Sequence, residues 1–456
     1  MYNLSTEFNS FYRTEVVLPA NDQNELRKKR KLNIKRLKEG LKEYNQEKGT
    51  DYRLSEDRVQ GSMAMHTVVQ NDEHDYDIDV AIVFEKSNLG GMGPLAVRRM
   101  VADALKRKTK QFAEDPEVKT SCVRLKYATG YHVDFAVYRR YKENETDTEY
   151  QYEHAGAEWS KRGIRAVEDW FKDEISKKGD DLRKITRLSK MFCKSRSEWD
   201  EMPGGLIQTV LCSEQLTTSN RLDELFYQTM RQVVARLSNN VDVCVPVDNN
   251  RALVTRTIDR TRMSNWRDRL SEKLDKLSIL FSQDCTNAEA IAAWASFFNH
   301  QYWTERTVAI NESYCIEKST KFINTEEYIE ERFVVDEQYD VEIICEVMGD
   351  GFRLMPIGVF FEKYGNMLGH FVPHHFKVKC RVGTTSAPCY DKVLWKVRNV
   401  GVSAEERNQI RGQIEDRGSQ IEENTLFGGP HYIECYLIKD GICIAIGHVD
   451  VPIGQS

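Results

Sequence analysis

The chain has 456 residues, with 65 lysines and arginines against 71 aspartates and glutamates and a formal net charge of −6. This composition is typical of a folded globular protein and excludes a disordered or collagen-like chain, as well as one that coats nucleic acid with its whole surface. No apolar run is long enough to cross a membrane, and the first residues lack the layout of a signal peptide, so we expect a cytoplasmic protein without membrane contact. The 11 cysteines contain no CxxC pair, which indicates a reducing compartment and speaks against structural zinc.

A long helix is predicted at residues 21–48. Apolar residues recur there at helical spacing, and Gly49 is expected to end the helix. Its outer face carries the basic run 27–31, followed by Lys35, Arg36 and Lys38. This run is either a solvated helix face or a site for polyanions such as RNA.

A sheet with one long helix is expected next. The pattern predicts a strand at 77–84, a helix at about 94–113, and two strands at 119–127 and 131–138 joined by a turn at Thr129-Gly130.

The rest of the chain changes character twice. Residues 160–300 are predicted to be almost entirely helical, with 241–247 as a strand-like exception. After about residue 320 the pattern favours strands, with a hairpin turn at Asp440-Gly441 and one helical interruption at 404–414. The predicted strands of this part are 341–347, 376–382, 393–400, 431–438 and 442–449.

The strongest chemical signal is a set of carboxylates on strand-like segments. Asp77 and Asp79 are two residues apart, so on a strand they project to the same face, and Asp134 alternates with apolar residues in the same way. If the two strands are neighbours, three carboxylates converge. They would need a cation to lie close together, and oxygen ligands favour Mg²⁺ or Mn²⁺. Upstream, Gly61 would let the backbone approach a phosphate and Ser62 would donate a hydrogen bond to it.

Taken in order, these motifs resemble the bacterial CD-NTases, relatives of cyclic GMP-AMP synthase and oligoadenylate synthetase that share a polymerase-β-like core. The resemblance implies that Gly61 and Ser62 form the loop that binds the nucleotide. It implies that Asp77, Asp79 and Asp134 are the catalytic and metal-binding residues. Asp75, which precedes the pair, would be a flanking residue.

The resemblance extends into the helical part and the C-terminal part. In segment 187–192, Lys190 would bind the triphosphate, with Arg187 as a weaker candidate. The motifs 395–401, 411–412 and 428–435 are similar to the AGS-C nucleotide-sensor domain. Arg398, Arg411 and His431 are candidates there for phosphate or base contact, against structural roles in packing, ion pairs or helix capping.

The expected fold class is therefore α+β. A polymerase-β-like nucleotidyltransferase core with its N-terminal spine helix would span 1–160, a helical second lobe that completes the nucleotide cleft would span 161–320, and a β-rich AGS-C-like domain would span 321–456.

The function implied by the resemblance is synthesis of a cyclic di- or trinucleotide messenger from NTPs, ATP among them, for CBASS-type antiphage defence. Pyrophosphate would be released, and a cyclic-nucleotide-gated effector would be the downstream partner. Activation by RNA or protein remains open. The alternatives are a template-independent nucleotidyltransferase acting on RNA or protein, and a catalytically degenerate sensor of nucleotides or RNA.

Overall fold

The structure is a computed structural model and describes residues 1–71, 76–312, 324–349 and 351–454. Asp75 lies outside these residues. The chain divides into two compact units, Met1–Ile316 and Glu317–Ser456. Within the described ranges, no helix is both long enough and apolar enough to cross a membrane.

A mixed sheet forms the centre of the first unit. Its described strands are β1 (Leu54–Gln60), β2 (Asp77–Glu85), β3 (Glu117–Val118), β4 (Val123–Lys126), β5 (His132–Tyr141), β6 (Gln151–Ala155) and β7 (Trp159–Lys161). The order is β1–β2–β5–β4–β3, with β6 beside β5 and β7 beside β6. β2 and β5 are parallel neighbours, whereas β4 and β5 form the predicted antiparallel hairpin.

Two helices cover one face of this sheet. The spine helix, Ala20–Lys48, ends at Gly49 as predicted and packs with the helix Pro94–Lys108 against β2. The two helices approach closely at Gly40, where an added Cβ would lie 1.8 Å from the carbonyl oxygen of Ala104. The second helix is shorter than the predicted 94–113, because Thr109 leaves the helical conformation and its hydroxyl donates to the Leu105 carbonyl.

The rest of the first unit is mainly helical, as predicted. Aromatic side chains fill its core, and the N-terminal helix Ser5–Phe11 contributes to it: the rings of Phe8 and Trp294 are 4.7 Å apart. The strand-like stretch becomes a small hairpin of β8 (Cys244–Val245) and β9 (Asp248–Ala252). The main helices are Ala166–Lys178, Asp181–Lys194, Gly205–Gln215, Leu222–Asn239, Thr257–Lys276, Asn287–Phe298 and Gln301–Glu312.

The second unit consists of two sheets around an apolar core. Its described strands are β10 (Val334–Val335), β11 (Val341–Gly349), β12 (Phe352–Pro356), β13 (Lys377–Thr385), β14 (Lys392–Arg398), β15 (Arg411–Asp416), β16 (Gln420–Asn424), β17 (Gly429–Lys439) and β18 (Ile442–Ile453). One sheet has the order β10–β18–β17–β14–β15 and the other β12–β11–β13–β16. The predicted turn at Asp440-Gly441 joins β17 to β18, and both residues have positive φ, at 50° and 75°.

Two details of the second unit differ from the prediction. The predicted helix at 404–414 is wrong for most of its length: a short helix, Val402–Glu406, is followed by β15, which pairs with β14. Pairing with a neighbouring strand outweighs the local helical pattern there. The helix Ile357–Leu368 was not anticipated, and Phe360 anchors it in the core. The α+β class is confirmed.

Candidate active site

Three carboxylates meet on neighbouring strands of the central sheet. β2 carries Asp77 and Asp79, and β5 carries Asp134, which lies directly opposite Asp79 in the parallel pairing. Ile78 and Val133 alternate with them and are fully buried, so the carboxylates project to the other face. All three line one cavity of about 410 Å³. The structure thus brings together the three acidic residues that were predicted as a group.

Negative charge is concentrated at this cavity. Burial, together with the charges of Asp134, Asp77 and Glu168, raises the pKa of Asp79 from 3.8 to about 7. The three neighbouring carboxylates thus add to the effect of burial, whereas Arg124 lowers this pKa.

Arg124 partly compensates this charge. It lies on β4 opposite Asp134, and its guanidinium makes two bonds of 2.7 Å to the Asp134 carboxylate. The same group lies 3.3 Å from Asp77. Arg124 was not singled out from the sequence. The predicted hairpin does contain the signal, since its register places position 124 across from position 134.

The Gly61-Ser62 loop lies against the second carboxylate. Gly61 has φ +64°, and an added Cβ would lie 2.1 Å from Asp79 Oδ2. Its amide donates a 2.8 Å hydrogen bond to Glu168, a buried residue at the start of the helix Ala166–Lys178. Glu168 therefore holds the loop from the helical part of the unit. Burial raises the pKa of its carboxyl group.

Ser62 and Lys190 line the same cavity. Lys190 is buried on the helix Asp181–Lys194, and its Nζ donates to the hydroxyl of Thr67 at 2.8 Å and to its carbonyl at 3.1 Å. Burial lowers the pKa of Lys190 to about 7. An anion beside this ammonium would restore its charge, because an opposite charge favours the charged form.

Arg187, the weaker candidate for nucleotide binding, is not brought to the cavity. It is buried on the same helix as Lys190, and its guanidinium donates to the hydroxyl of Tyr12 at 2.7 Å. The Arg187 side chain is therefore bound to the N-terminal segment. Another cation, Arg162, lines the cavity instead; it lies between β7 and the next helix, and no sequence motif marks it.

The acidic residues fit a divalent cation by their chemistry. Among the described residues, no group of three His, Cys, Asp or Glu side chains is already arranged around a metal position. The available donors are carboxylate oxygens, the ligands of hard cations such as Mg²⁺. In addition to burial, the charges of Asp134, Asp77 and Glu168 raise the pKa of Asp79. A bound dication would favour the ionised form of these carboxylates.

The three candidates in the second unit separate into two kinds. Arg398 is engaged with Glu326 at 3.1 Å, and both ring nitrogens of His431 are engaged with backbone groups. These two residues have structural partners. Arg411 pairs with Glu423, and it lies on a strand and caps no helix; like His431, it lines a cavity.

Comparison with known proteins agrees with this arrangement. Residues 56–138 match the nucleotidyltransferase domain of the family described as cyclic GMP-AMP synthase DncV-like, and residues 323–454 match the adenylyl/guanylyl and SMODS C-terminal sensor domain, AGS_C. The cyclic GMP-AMP synthase of Escherichia albertii is 23% identical over 407 residues, covering 86% of this chain and 83% of the relative.

Solved structures show the same fold. The Vibrio cholerae DncV cyclic AMP-GMP synthase with a linear pppA(3′,5′)pG intermediate is similar with a TM-score of 0.54 and 16% identity, over 66% of this chain and 98% of that one. The Escherichia coli DncV bound to 3′-deoxy GTP gives a TM-score of 0.52 at 16% identity, over 65% of this chain and 97% of that one. The chain therefore carries a DncV-like nucleotidyltransferase domain, followed by a C-terminal AGS-C domain.

Proposed function

We propose that this enzyme uses Mg²⁺ to join nucleoside triphosphates, ATP among them, into a cyclic di- or trinucleotide, with release of pyrophosphate. The observation that carries the proposal is the cavity in which Asp77, Asp79 and Asp134 lie together beside the Gly61-Ser62 loop. The names of the similar synthases, which make cyclic dinucleotides, support this class of product.

The proposed reaction is a displacement at the α-phosphorus of a donor NTP. The 2′- or 3′-oxygen of the acceptor forms a new P–O bond, while the bond to the oxygen that bridges the α- and β-phosphates breaks, and its electron pair leaves with pyrophosphate. Asp134 accepts the proton of the attacking hydroxyl. A second transfer of the same kind closes the ring.

Asp77, Asp79 and Asp134 would hold the divalent cation, Mg²⁺ or Mn²⁺. When bound, it supplies charge neutralisation at the phosphates and lowers the pKa of the attacking hydroxyl. Ser62 and Lys190 would bind the donor triphosphate, the serine through a hydrogen bond and the lysine through its charge. Glu168 orients the loop by holding the Gly61 amide.

The biological role proposed for the product is a second messenger in CBASS-type antiphage defence, made in the cytoplasm. The product would activate a cyclic-nucleotide-gated effector. An RNA or protein activator of the synthase would act upstream of this step. These roles follow from the family and are tested separately from the chemistry.

The alternative acceptors, RNA and protein, gain no support from the basic run of the spine helix. Lys28 and Lys29 both contact Glu25, and the Lys29 ammonium also lies 4.3 Å from the ring centre of Tyr131. Arg36 donates to Asn33. These contacts favour a helix face whose charges are partly used within the protein. The three carboxylates in one cavity argue against a degenerate sensor.

A product assay tests the proposal. The full chain is incubated with four labelled NTPs and Mg²⁺ and then with phosphatase, and the products are separated and weighed by mass spectrometry. We expect a phosphatase-resistant cyclic oligonucleotide from the wild type and none from the double variant Asp77→Asn, Asp79→Asn. The control is Asp103→Asn, a surface position whose carboxylate pairs with Arg107 at 2.9 Å.

Other outcomes would change the assignment. A phosphatase-resistant product that persists in the double variant would remove these carboxylates from the reaction. Labelled RNA or protein in place of a cyclic product would favour the alternative acceptors. If NTPs alone give no product, the same assay is run with RNA and a partner protein added. The absence of product there as well would contradict the proposal.

A further inference from the structure

The Lys190 ammonium is bound by one residue within the first unit. Its Nζ donates to the Thr67 hydroxyl at 2.8 Å and to the Thr67 carbonyl at 3.1 Å. In the ranges that the structure describes, the ammonium donates to no other group and forms no ion pair with a carboxylate. Because an ammonium has three donors, two are engaged with Thr67 and the third is still available.

Thr67 belongs to the same turn as the loop that lines the catalytic cavity. It is fully buried, and its amide donates to the Ser62 carbonyl at 2.8 Å. The Gly61-Ser62 loop and the two oxygens that hold Lys190 are therefore parts of one hydrogen-bonded turn. A buried turn of this kind gives the acceptors of the lysine a fixed place relative to Ser62.

The N-terminal segment 12–17 braces both sides of this contact. The side chain of Gln70, three residues after Thr67, donates to the Val17 carbonyl at 2.7 Å. The helix that carries the lysine is bound to the same segment through Arg187. Acceptor and donor are thus anchored to one stretch of chain, which limits how far they can move apart.

A glycine also confines the end of the lysine side chain. Gly205 begins the helix Gly205–Gln215, and a Cβ added there would lie 3.0 Å from Lys190 Cε and 3.3 Å from Nζ. Both atoms therefore already lie against the backbone of that helix. Together with the Thr67 bonds, this contact confines the ammonium to the wall of the cavity, which Ser62 lines as well.

We propose that Thr67 is a positioning residue for the donor triphosphate and that it acts through Lys190. Its hydroxyl and carbonyl satisfy two donors of the buried ammonium before any nucleotide is bound, and they leave the third donor for a phosphate oxygen. Loss of the hydroxyl would leave the buried ammonium with one acceptor, so that its position would no longer be fixed. The inference rests on the proposed function, which assigns the phosphate contact to Lys190.

Calorimetric titration of the full chain measures this role. The probe is an ATP analogue in which a methylene group replaces the oxygen between the α- and β-phosphates, with Mg²⁺ present, and AMP is titrated in parallel. Thr67→Val should weaken binding of the analogue about tenfold, the size of one lost hydrogen bond to a charged group, and should change AMP binding by less than about twofold.

Conservative variants separate the hydroxyl from the packing of the side chain. Thr67→Ser keeps the hydroxyl and should bind the analogue within about threefold of the wild type. Thr67→Ala differs from it by that hydroxyl alone and should lose as much as Thr67→Val, which keeps the test valid if the valine variant does not fold. The control is Thr109→Val, which removes another buried hydroxyl, one that donates to the Leu105 carbonyl.

Combining the change with Lys190→Met shows whether Thr67 acts through the lysine. Lys190→Met should weaken binding of the analogue by more than about tenfold, and adding Thr67→Val should weaken it no further, since the two changes remove one interaction. A further loss in the double variant, equal losses for Thr67→Val and Thr67→Ser, or no loss in Thr67→Val would overturn the role of Thr67 alone. If Lys190→Met bound the analogue like the wild type, the phosphate contact of the proposed function would fail, and this inference with it.

Discussion

The two units hold their buried charges in opposite ways. In the first unit, burial together with the charges of Asp134, Asp77 and Glu168 raises the pKa of Asp79 to about 7. In the second unit, Glu423 contacts two arginines and Glu434 contacts Lys396. An added cation would balance the first arrangement, whereas the charges of the second are already paired. Clustered like charges therefore mark the candidate site, and paired charges mark structure.

The paired arrangement continues into a buried network. Lys396 is 2% exposed, and its ammonium lies 2.7 Å from Glu326 and 3.3 Å from Glu434. The hydroxyl of Tyr432 donates to Glu326 at 2.9 Å, and its ring stacks on His448. Removing one member of such a network leaves a buried charge unpaired, at a cost of about 3–5 kcal/mol.

The largest effect on activity is expected for Gly61→Ala, in the first unit. The new Cβ would lie 2.1 Å from Asp79 Oδ2, and φ +64° disfavours any side chain. The loop or the carboxylate must shift, and a misplacement of this kind costs about 100-fold in rate. Steady-state product formation measures it. Gly93→Ala is the control, because its Cβ would meet nothing within 4 Å and its φ is −74°; equal losses in both variants would contradict the role of position 61.

A smaller effect is expected at Glu168. Alanine removes the acceptor of the Gly61 amide, whereas glutamine keeps a side-chain carbonyl in its place. We expect Glu168→Ala to lower kcat about tenfold with little change in KM, the range typical of residues that orient a site from behind, and Glu168→Gln to retain most of the activity.

The neighbouring surface residue provides the control for this pair. Asp169 lies 3.7 Å from Arg165 and 4.0 Å from Lys172, and Asp169→Ala should leave kcat unchanged. If Glu168→Gln lost as much activity as Glu168→Ala, the charge of Glu168 rather than its hydrogen bond would be what matters.

Much of the catalytic half could be predicted because strand alternation is a local property. The spacing of Asp77 and Asp79, and the alternation around Asp134, place three carboxylates on one face once their strands are neighbours. The turn at Asp440-Gly441 and the helix end at Gly49 were predictable for the same reason, since each is set by the φ angle of one or two residues.

What the sequence missed depends on contacts between distant segments. Glu168 accepts a hydrogen bond from Gly61, 107 positions away in the chain, and Tyr12 accepts one from Arg187, 175 positions away. Residues 411–414, predicted as the end of a helix, begin the strand 411–416, because its pairing partner β14, which ends at Arg398, decides its conformation. No periodicity within a short window contains this information.

Added Mg²⁺ should stabilise the first unit against heat. The carboxylates that oppose the ionisation of Asp79 would be neutralised by the cation, and a ligand that binds the folded state alone raises the unfolding temperature. For a unit of this size we expect about 2–4 °C per kcal/mol of binding free energy. Thermal unfolding is measured with Mg²⁺ and with NaCl at matched ionic strength. The shift should disappear in Asp79→Asn, and an unchanged shift there would place the cation elsewhere.

The smallest expected effect is a pH dependence of the stability of the second unit. Burial lowers the pKa of His448, but Asp450, 3.1 Å from Nε2, and the Glu434 carboxylate, 3.6 Å from Nδ1, outweigh this and hold the pKa above 6.5. The folded unit therefore binds this proton more tightly than the unfolded chain. The resulting stability is fully present below the unfolded pKa and is lost as the pH rises through the folded pKa.

The urea midpoint of the second unit should accordingly fall between about pH 5.5 and pH 8.5, and this part of the fall should vanish in His448→Gln. Samples of the full chain are equilibrated in urea at each pH and then pulse-labelled by hydrogen exchange at one common pH. The exchange in residues 429–453 reports how much of the second unit is unfolded. His374→Gln is the control, since the His374 ring pairs with the Gly454 carbonyl at 2.7 Å. If the fall persisted in His448→Gln, the pH dependence would belong to other groups, and the network around Lys396 would owe nothing to this proton.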